Sequence, residues 1–163
     1  MSTARVSAVL FLCLFAGQAG AIALSPVLAE VARDLDVSTA TAGQLRTVAG
    51  LVAGITALAL GRLGARFPLR RQLLIGSLLL ALGSLASAAA PSIGLLAAAQ
   101  APVGAGIAIL TTAGTLAAAE WVPAEQRAAT LSWALIGQPA AWMMANKVAI
   151  LEAPNAFLCA HFS

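Results

Sequence analysis

Four polar side chains lie inside stretches that are otherwise apolar: Gln18, Arg46, Gln100 and Gln138. At the depth of a bilayer an unpaired polar group is costly, so residues of this kind mark either solute pathways or hydrogen bonds between helices. Arg46 sits about two turns inside its helix and admits both a snorkelling and a cavity role. Its long stem can carry the guanidinium out to the headgroups. Facing a cavity instead, its fixed charge would favour an anionic or carboxylate-bearing solute, or pair with an acid on another helix. Each glutamine can likewise bond a neighbouring helix or a solute.

Nothing else in the chain suggests covalent chemistry. His161 stands alone near the C-terminus, no Ser or Cys has a candidate base, and no paired carboxylates fall within the apolar stretches. Cys13 and Cys159 have neither metal-ligand spacing nor the company of a disulfide framework. Gly104 and Gly106 lie in an apolar run with no following Lys-Ser or Lys-Thr, unlike a phosphate-cradling loop. No enzyme activity, metal or cofactor is expected.

The elements that must position the four polar residues are membrane helices. Hydrophobic residues make up 61% of the 163 and charged residues 9%, with mean hydropathy +0.94, whereas soluble domains carry roughly 25% charged residues. At roughly 20 apolar residues per crossing the chain holds about five spans. They fall near residues 6–27, 39–61, 72–90, 92–119 and 124–145, followed by an irregular tail over 146–163. Pro26 and the charges from Glu30 to Asp36 mark the first exit into water, and Ser38, Thr39 and Thr41 can cap the second helix. Pro91 closes the third span, Ser92 caps the fourth, and Pro102 is expected to kink it. Trp121 suits an interface, Pro123 a first helical turn, and Pro139 a bend in the fifth span. The N-terminus also reads as a secretory signal, with small residues from Ala16 to Ala21, but the uncharged stretch runs on to Ala29 and a first span accounts for the same residues.

Charge placement orients the bundle. Six of the nine basic residues (Arg5, Arg62, Arg66, Arg70, Arg71 and Arg127) fall on one side, against Arg33, Arg46 and Lys147 on the other. Basic loops stay inside, which puts the N-terminus in the cytoplasm of a multi-pass protein in a cell inner or plasma membrane. The basic surplus is thus a topology signal, and nucleic acid is not an expected partner. Along the second span Gly43, Gly50, Ala57 and Gly64 recur every seven residues, with Gly54 and Gly61 on a second row. Small side chains let another backbone approach, so Gly43, Gly50, Gly54 and Ala57 predict a packing seam. Gly104, Gly106 and Gly114 carry the same signal more weakly.

The stretch Gly61-Arg-Leu-Gly-Ala-Arg-Phe-Pro-Leu-Arg-Arg71 resembles the loop signature between the second and third helices of the major facilitator superfamily. The stretch from Leu24 to Ser38 is similar to that family's first outer loop, and Glu120 to Arg127 to its fourth inner connection. The resemblance implies an all-α polytopic bundle forming an incomplete N-terminal half of a transporter. It also implies that Gly61 and Gly64 let the loop pack while Arg66, Arg70 and Arg71 make the charge contacts of the outward-facing state. Gly137-Gln-Pro139 would occupy the fifth-helix Gly-Pro motif of the proton-coupled drug and sugar efflux carriers. Three positions depart from the pattern: Ala65 replaces the acid of the loop signature, Pro68 its later glycine, and the fourth-helix arginine is absent near Ala98. The resemblance fades after Trp142, as expected of a truncated or frame-shifted chain, which sequencing the genomic locus would test. The implied function is a fragment of a secondary active efflux transporter for a small organic solute, not competent alone and completed by a missing C-terminal half. The other class compatible with the residues is a non-transporting assembly or regulatory protein that binds partner helices through span two.

Overall fold

The computed structural model describes residues 3–22, 32–33 and 36–152, and among them every regular element is a helix. In chain order these are α1 (Thr3–Ile22), α2 (Thr39–Leu63), a single 3-10 turn (Gly64–Arg66), α3 (Leu69–Ala88), α4 (Ile93–Trp121), α5 (Ala124–Leu135) and α6 (Gly137–Glu152). Three of them, α2, α3 and α4, are long and apolar enough to cross a membrane, and α1 carries a shorter apolar stretch over Val6–Ile22. The architecture is an all-α membrane helix bundle. Residues 23–27, where the sequence reading places the end of the first span, lie outside the described residues.

The helix starts follow from local chemistry. Ser38 caps α2 by accepting from the Thr41 N–H at 3.1 Å, and Ser92 caps α4 by accepting from the Leu95 N–H at 3.4 Å. Inside the helices the hydroxyls of Ser77, Ser87, Thr111, Thr115 and Ser132 donate to carbonyls three or four residues back, so each meets its partner within its own helix. α4 continues through Pro102 without ending.

In the fifth span α5 and α6 meet at Ile136, whose backbone stays helical (φ −59°, ψ −25°), with its N–H donating to the Ser132 carbonyl at 3.3 Å and its carbonyl accepting from the Ala140 N–H at 3.1 Å. Pro139 offers no N–H to the carbonyl of Leu135, four residues back, and its ring crowds that carbonyl, so the helical path bends there and Leu135 is the last residue of α5. The helix beyond outlasts the expected polar break. α6 runs through Asn146 and Lys147 to Glu152, because Asn and Lys weaken a helix only slightly, whereas the next strong breaker is Pro154. The remainder of the expected irregular tail, 153–163, lies outside the described residues.

α4 is the hub, packed against α1, α2, α3 and α5. Val6, Leu10 and Leu14 of α1, four residues apart, meet Leu73 and Leu80 of α3 and Val103, Leu110, Ala113 and Ala117 of α4 in one apolar core. On α3 the opposite face carries Leu74, Leu78, Leu82 and Leu85, all exposed, as suits a helix with lipid as its solvent. α1 also packs against α5 and α6.

Candidate functional site

The approach of α2 to α4 shapes the space between α1, α2 and α4. α2 and α4 come so close that a Cβ on Gly104 would collide with the Ala49 carbonyl, so the crossing needs a residue with no side chain there. Beside that contact the α2 face formed by Arg46, Ala49, Gly50 and Ala53, at helical spacing, carries little bulk beyond the arginine. Gly20 and Ala21 of α1 and Gln100 and Ile107 of α4 complete the wall of a cavity of about 200 Å³. Among the described residues Arg46 is its one ionisable wall residue, and Gln100 the other with a polar side chain.

Gln100 is held in a defined orientation. Its side chain is buried, and its Nε2 donates to Ser87 Oγ of α3 at 3.0 Å. Ser87 uses its one hydroxyl hydrogen on the Gly83 carbonyl, 2.8 Å away. The Ser87 oxygen can then only accept, so the amide nitrogen of Gln100 must be the group turned toward α3. The glutamine both bonds a neighbouring helix and lines the cavity, combining two roles that the sequence presents as alternatives. Gln18 on α1 and Gln138 on α6 are half-buried and do not line this cavity. Of the four polar candidates the fold therefore brings two together.

The basic loop forms a second polar region. Gly64 is buried at the start of the 3-10 turn, while Gly61, Arg66, Arg70 and Arg71 are exposed. Arg70 and Arg71 occupy the first turn of α3, the positive end of the helix dipole, where basic residues are locally unfavourable. The turn is closed by a residue that the sequence reading took merely as the beginning of a span. Gln72 is 5% exposed, and its Nε2 donates to the carbonyls of Gly64 at 2.8 Å and Phe67 at 2.9 Å. An amide directly after two arginines was the available signal. Across the bundle, Arg127 Nε donates to the Val122 carbonyl at 3.0 Å and secures the α4–α5 connection.

The glycine row of α2 makes no close packing contact among the described residues. A Cβ built on Gly43, Gly50, Gly54 or Gly61 would meet nothing within 4 Å, and Ala57 is exposed. The glycines that seat a helix lie elsewhere: Gly106 of α4 lies against the backbone of Gly76 and Leu80 of α3, and Gly137 at the start of α6 lies against the Phe11 carbonyl of α1.

A family profile described as Major Facilitator Superfamily matches residues 10–150, from within α1 to near the end of α6. No curated protein matches the chain.

Proposed function

We propose that this chain, which belongs to the major facilitator superfamily, serves a secondary active transporter that exports a small organic solute by way of the cavity between α1, α2 and α4. The family makes it a membrane protein of transporter type, and transport of this kind involves no covalent chemistry on the solute. The observation that carries the finer reading is the cavity: a space of about 200 Å³ between three helices, walled by small residues and presenting one arginine and one oriented amide. Spaces between helices of this kind are where secondary transporters hold their cargo.

Alternating access requires a second bundle to rock against the first. The open positions Gly43, Gly54 and Ala57 of α2 are the proposed seat for helices of that bundle, with Gly50 left to the cavity wall, so the chain is taken to be inactive by itself. Arg66, Arg70 and Arg71 would make the charge contacts of the outward-facing state on the cytoplasmic side, with the N-terminus on that same side of an inner or plasma membrane.

Everted vesicles from cells with and without the gene test the transport reading. Gradient-driven accumulation of at least one solute in a panel of small organic acids, amides and amines should depend on the gene, and no gene-dependent solute would overturn it. Proteoliposomes of the purified chain alone should show no such uptake; saturable uptake there would remove the need for an opposing bundle.

A further inference from the structure

We propose that Arg66 and Arg71, where α2 turns into α3, hold the phosphate of one anionic phospholipid whose acyl chain lies along the exposed face of α3. The proposal names a counter-ion for two of the arginines given charge contacts above, and it holds whether or not the chain transports. Charge comes first. Arg62, Arg66, Arg70 and Arg71 fall within ten residues, and no acidic residue occurs between Asp36 and Glu120, so α2, the turn and α3 carry no counter-charge of their own. The acids at the same end of the bundle, Glu120 and Glu125, belong to the α4–α5 connection beside Arg127. Arg70 already has a partner within the protein, so the site is built on Arg66 and Arg71, both exposed. The start of α3 adds to the same field. Pro68 gives it no side-chain cap, and the partial positive charge of a helix N-terminus attracts phosphate while disfavouring the arginines placed on it.

Shape comes second. Leu74, Leu78, Leu82 and Leu85 follow Arg71 at intervals of three and four residues, so all five share one face of α3. The four leucines are between 54% and 70% exposed. From Leu74 to Leu85 this ridge is about 16 Å long at ~1.5 Å per residue, close to the ~15 Å that one leaflet contributes to a hydrocarbon core of about 30 Å. An acyl chain laid on it brings its headgroup to Arg71, whose Cα–Cβ bond tilts toward the helix N-terminus and the turn. A guanidinium is a planar fork that suits paired phosphate oxygens. The turn itself is held in shape on both sides of Arg66, because Gln72 donates to the Gly64 and Phe67 carbonyls and the Phe67 N–H donates to the Gly64 carbonyl. Phe67, 55% exposed, suits the boundary between headgroups and acyl chains. Charge above and hydrocarbon below describe a phospholipid, whereas a soluble anion fits the upper half alone.

Native mass spectrometry of the purified, delipidated full chain counts the lipids that stay bound. With phosphatidylglycerol and phosphatidylcholine of identical acyl chains, one phosphatidylglycerol should bind saturably and roughly tenfold more tightly than phosphatidylcholine, as expected where two arginines meet a net negative headgroup. Equal retention of the two lipids, or phosphatidylglycerol adding without saturation, would overturn the proposal, and neither outcome depends on a variant. Glycerol 3-phosphate, which offers the phosphate without acyl chains, should not displace the lipid at equal concentration; full displacement would overturn the seat on α3. Arg66→Gln together with Arg71→Gln should remove most of the preference, and the corresponding lysine pair should keep part of it. Lys147→Gln, the same charge change at an exposed residue elsewhere, should leave it intact. A preference that survives in the glutamine pair, or that falls equally in Lys147→Gln, would overturn the assignment of the phosphate to these two arginines. A dimer of the chain carrying no lipid in the same spectra would give the leucine face to a second copy and overturn it as well. Lipid binding without gene-dependent vesicle accumulation would leave this proposal standing and remove the transport reading, and the opposite pattern would do the reverse.

Discussion

The α3–α4 crossing and the outer face of α2 are built from the same residue type and end in opposite environments. At the crossing a Cβ on Gly106 would lie 2.7 Å from the Leu80 nitrogen and 2.8 Å from the Gly76 oxygen, whereas one on Gly54 or Gly61 would meet nothing within 4 Å. Half of the apolar stretch of α4 is buried, against 6% of that of α2. A glycine row read from sequence therefore identifies a surface that another backbone can approach, and it does not say whether that backbone belongs to the same bundle. In lipid this distinction matters, since close packing rather than exclusion of water holds helices together. The filled row stabilises this bundle, and the empty one is available to a partner.

The strongest way to break the comparison is to put a side chain into the filled row. Gly106→Val would force two backbones apart, and overpacking of a fitted interface costs about 1–3 kcal/mol or more where the main chain must move. The variant should lose the monodisperse, heat-resistant form of the purified chain in detergent. Unchanged melting would mean that the crossing is looser than its geometry indicates.

A smaller effect is expected at the basic loop, where order comes from hydrogen bonds instead of close packing. Gln72→Leu removes the donor shared by the Gly64 and Phe67 carbonyls. The Gly64 carbonyl keeps the Phe67 N–H at 3.1 Å and the Phe67 carbonyl loses its side-chain donor, a loss toward the lower end of the about 1–3 kcal/mol of a deprived buried acceptor. Trypsin, which cuts after Arg66, Arg70 and Arg71, reports local opening of this turn. Cleavage should be roughly tenfold faster in the variant, the factor that about 1.4 kcal/mol of lost closure produces when opening is fast. Equal rates would show that the 3-10 turn holds without its amide.

The parts of this molecule legible in the sequence were those governed by composition and local chemistry. Long uncharged runs gave α2, α3 and α4, and Ser38 and Ser92 were readable as caps because an oxygen before a helix has few other partners. The bend ahead of Pro139 was readable from the proline itself, because its missing N–H leaves the Leu135 carbonyl without its helical donor. Among the site residues, Arg46 and Gln100 could be nominated for being polar at depth, yet their convergence on one cavity depends on the α2–α4 approach at Gly104. That approach is tertiary information. Gln72 and Ser87 were passed over for the same reason: a polar residue near a helix end gives no sign of which distant carbonyl or amide it will meet.

The gentlest perturbation sharpens the comparison most. Gly54→Ala adds one methyl group to a face that is open in this bundle, and replacing glycine by alanine inside a helix favours the helical state by up to about 1 kcal/mol. The purified chain should therefore melt at the same temperature or slightly higher, the reverse in sign of the effect at Gly106. Destabilisation would show that the row is already occupied within the chain, and the proposed seat for a second bundle would be lost. If the purified chain is unharmed, the same substitution in cells should weaken gene-dependent vesicle accumulation. A helix seated on that row would have to withdraw by the width of the added methyl, and contacts between membrane helices fall away steeply with such a gap.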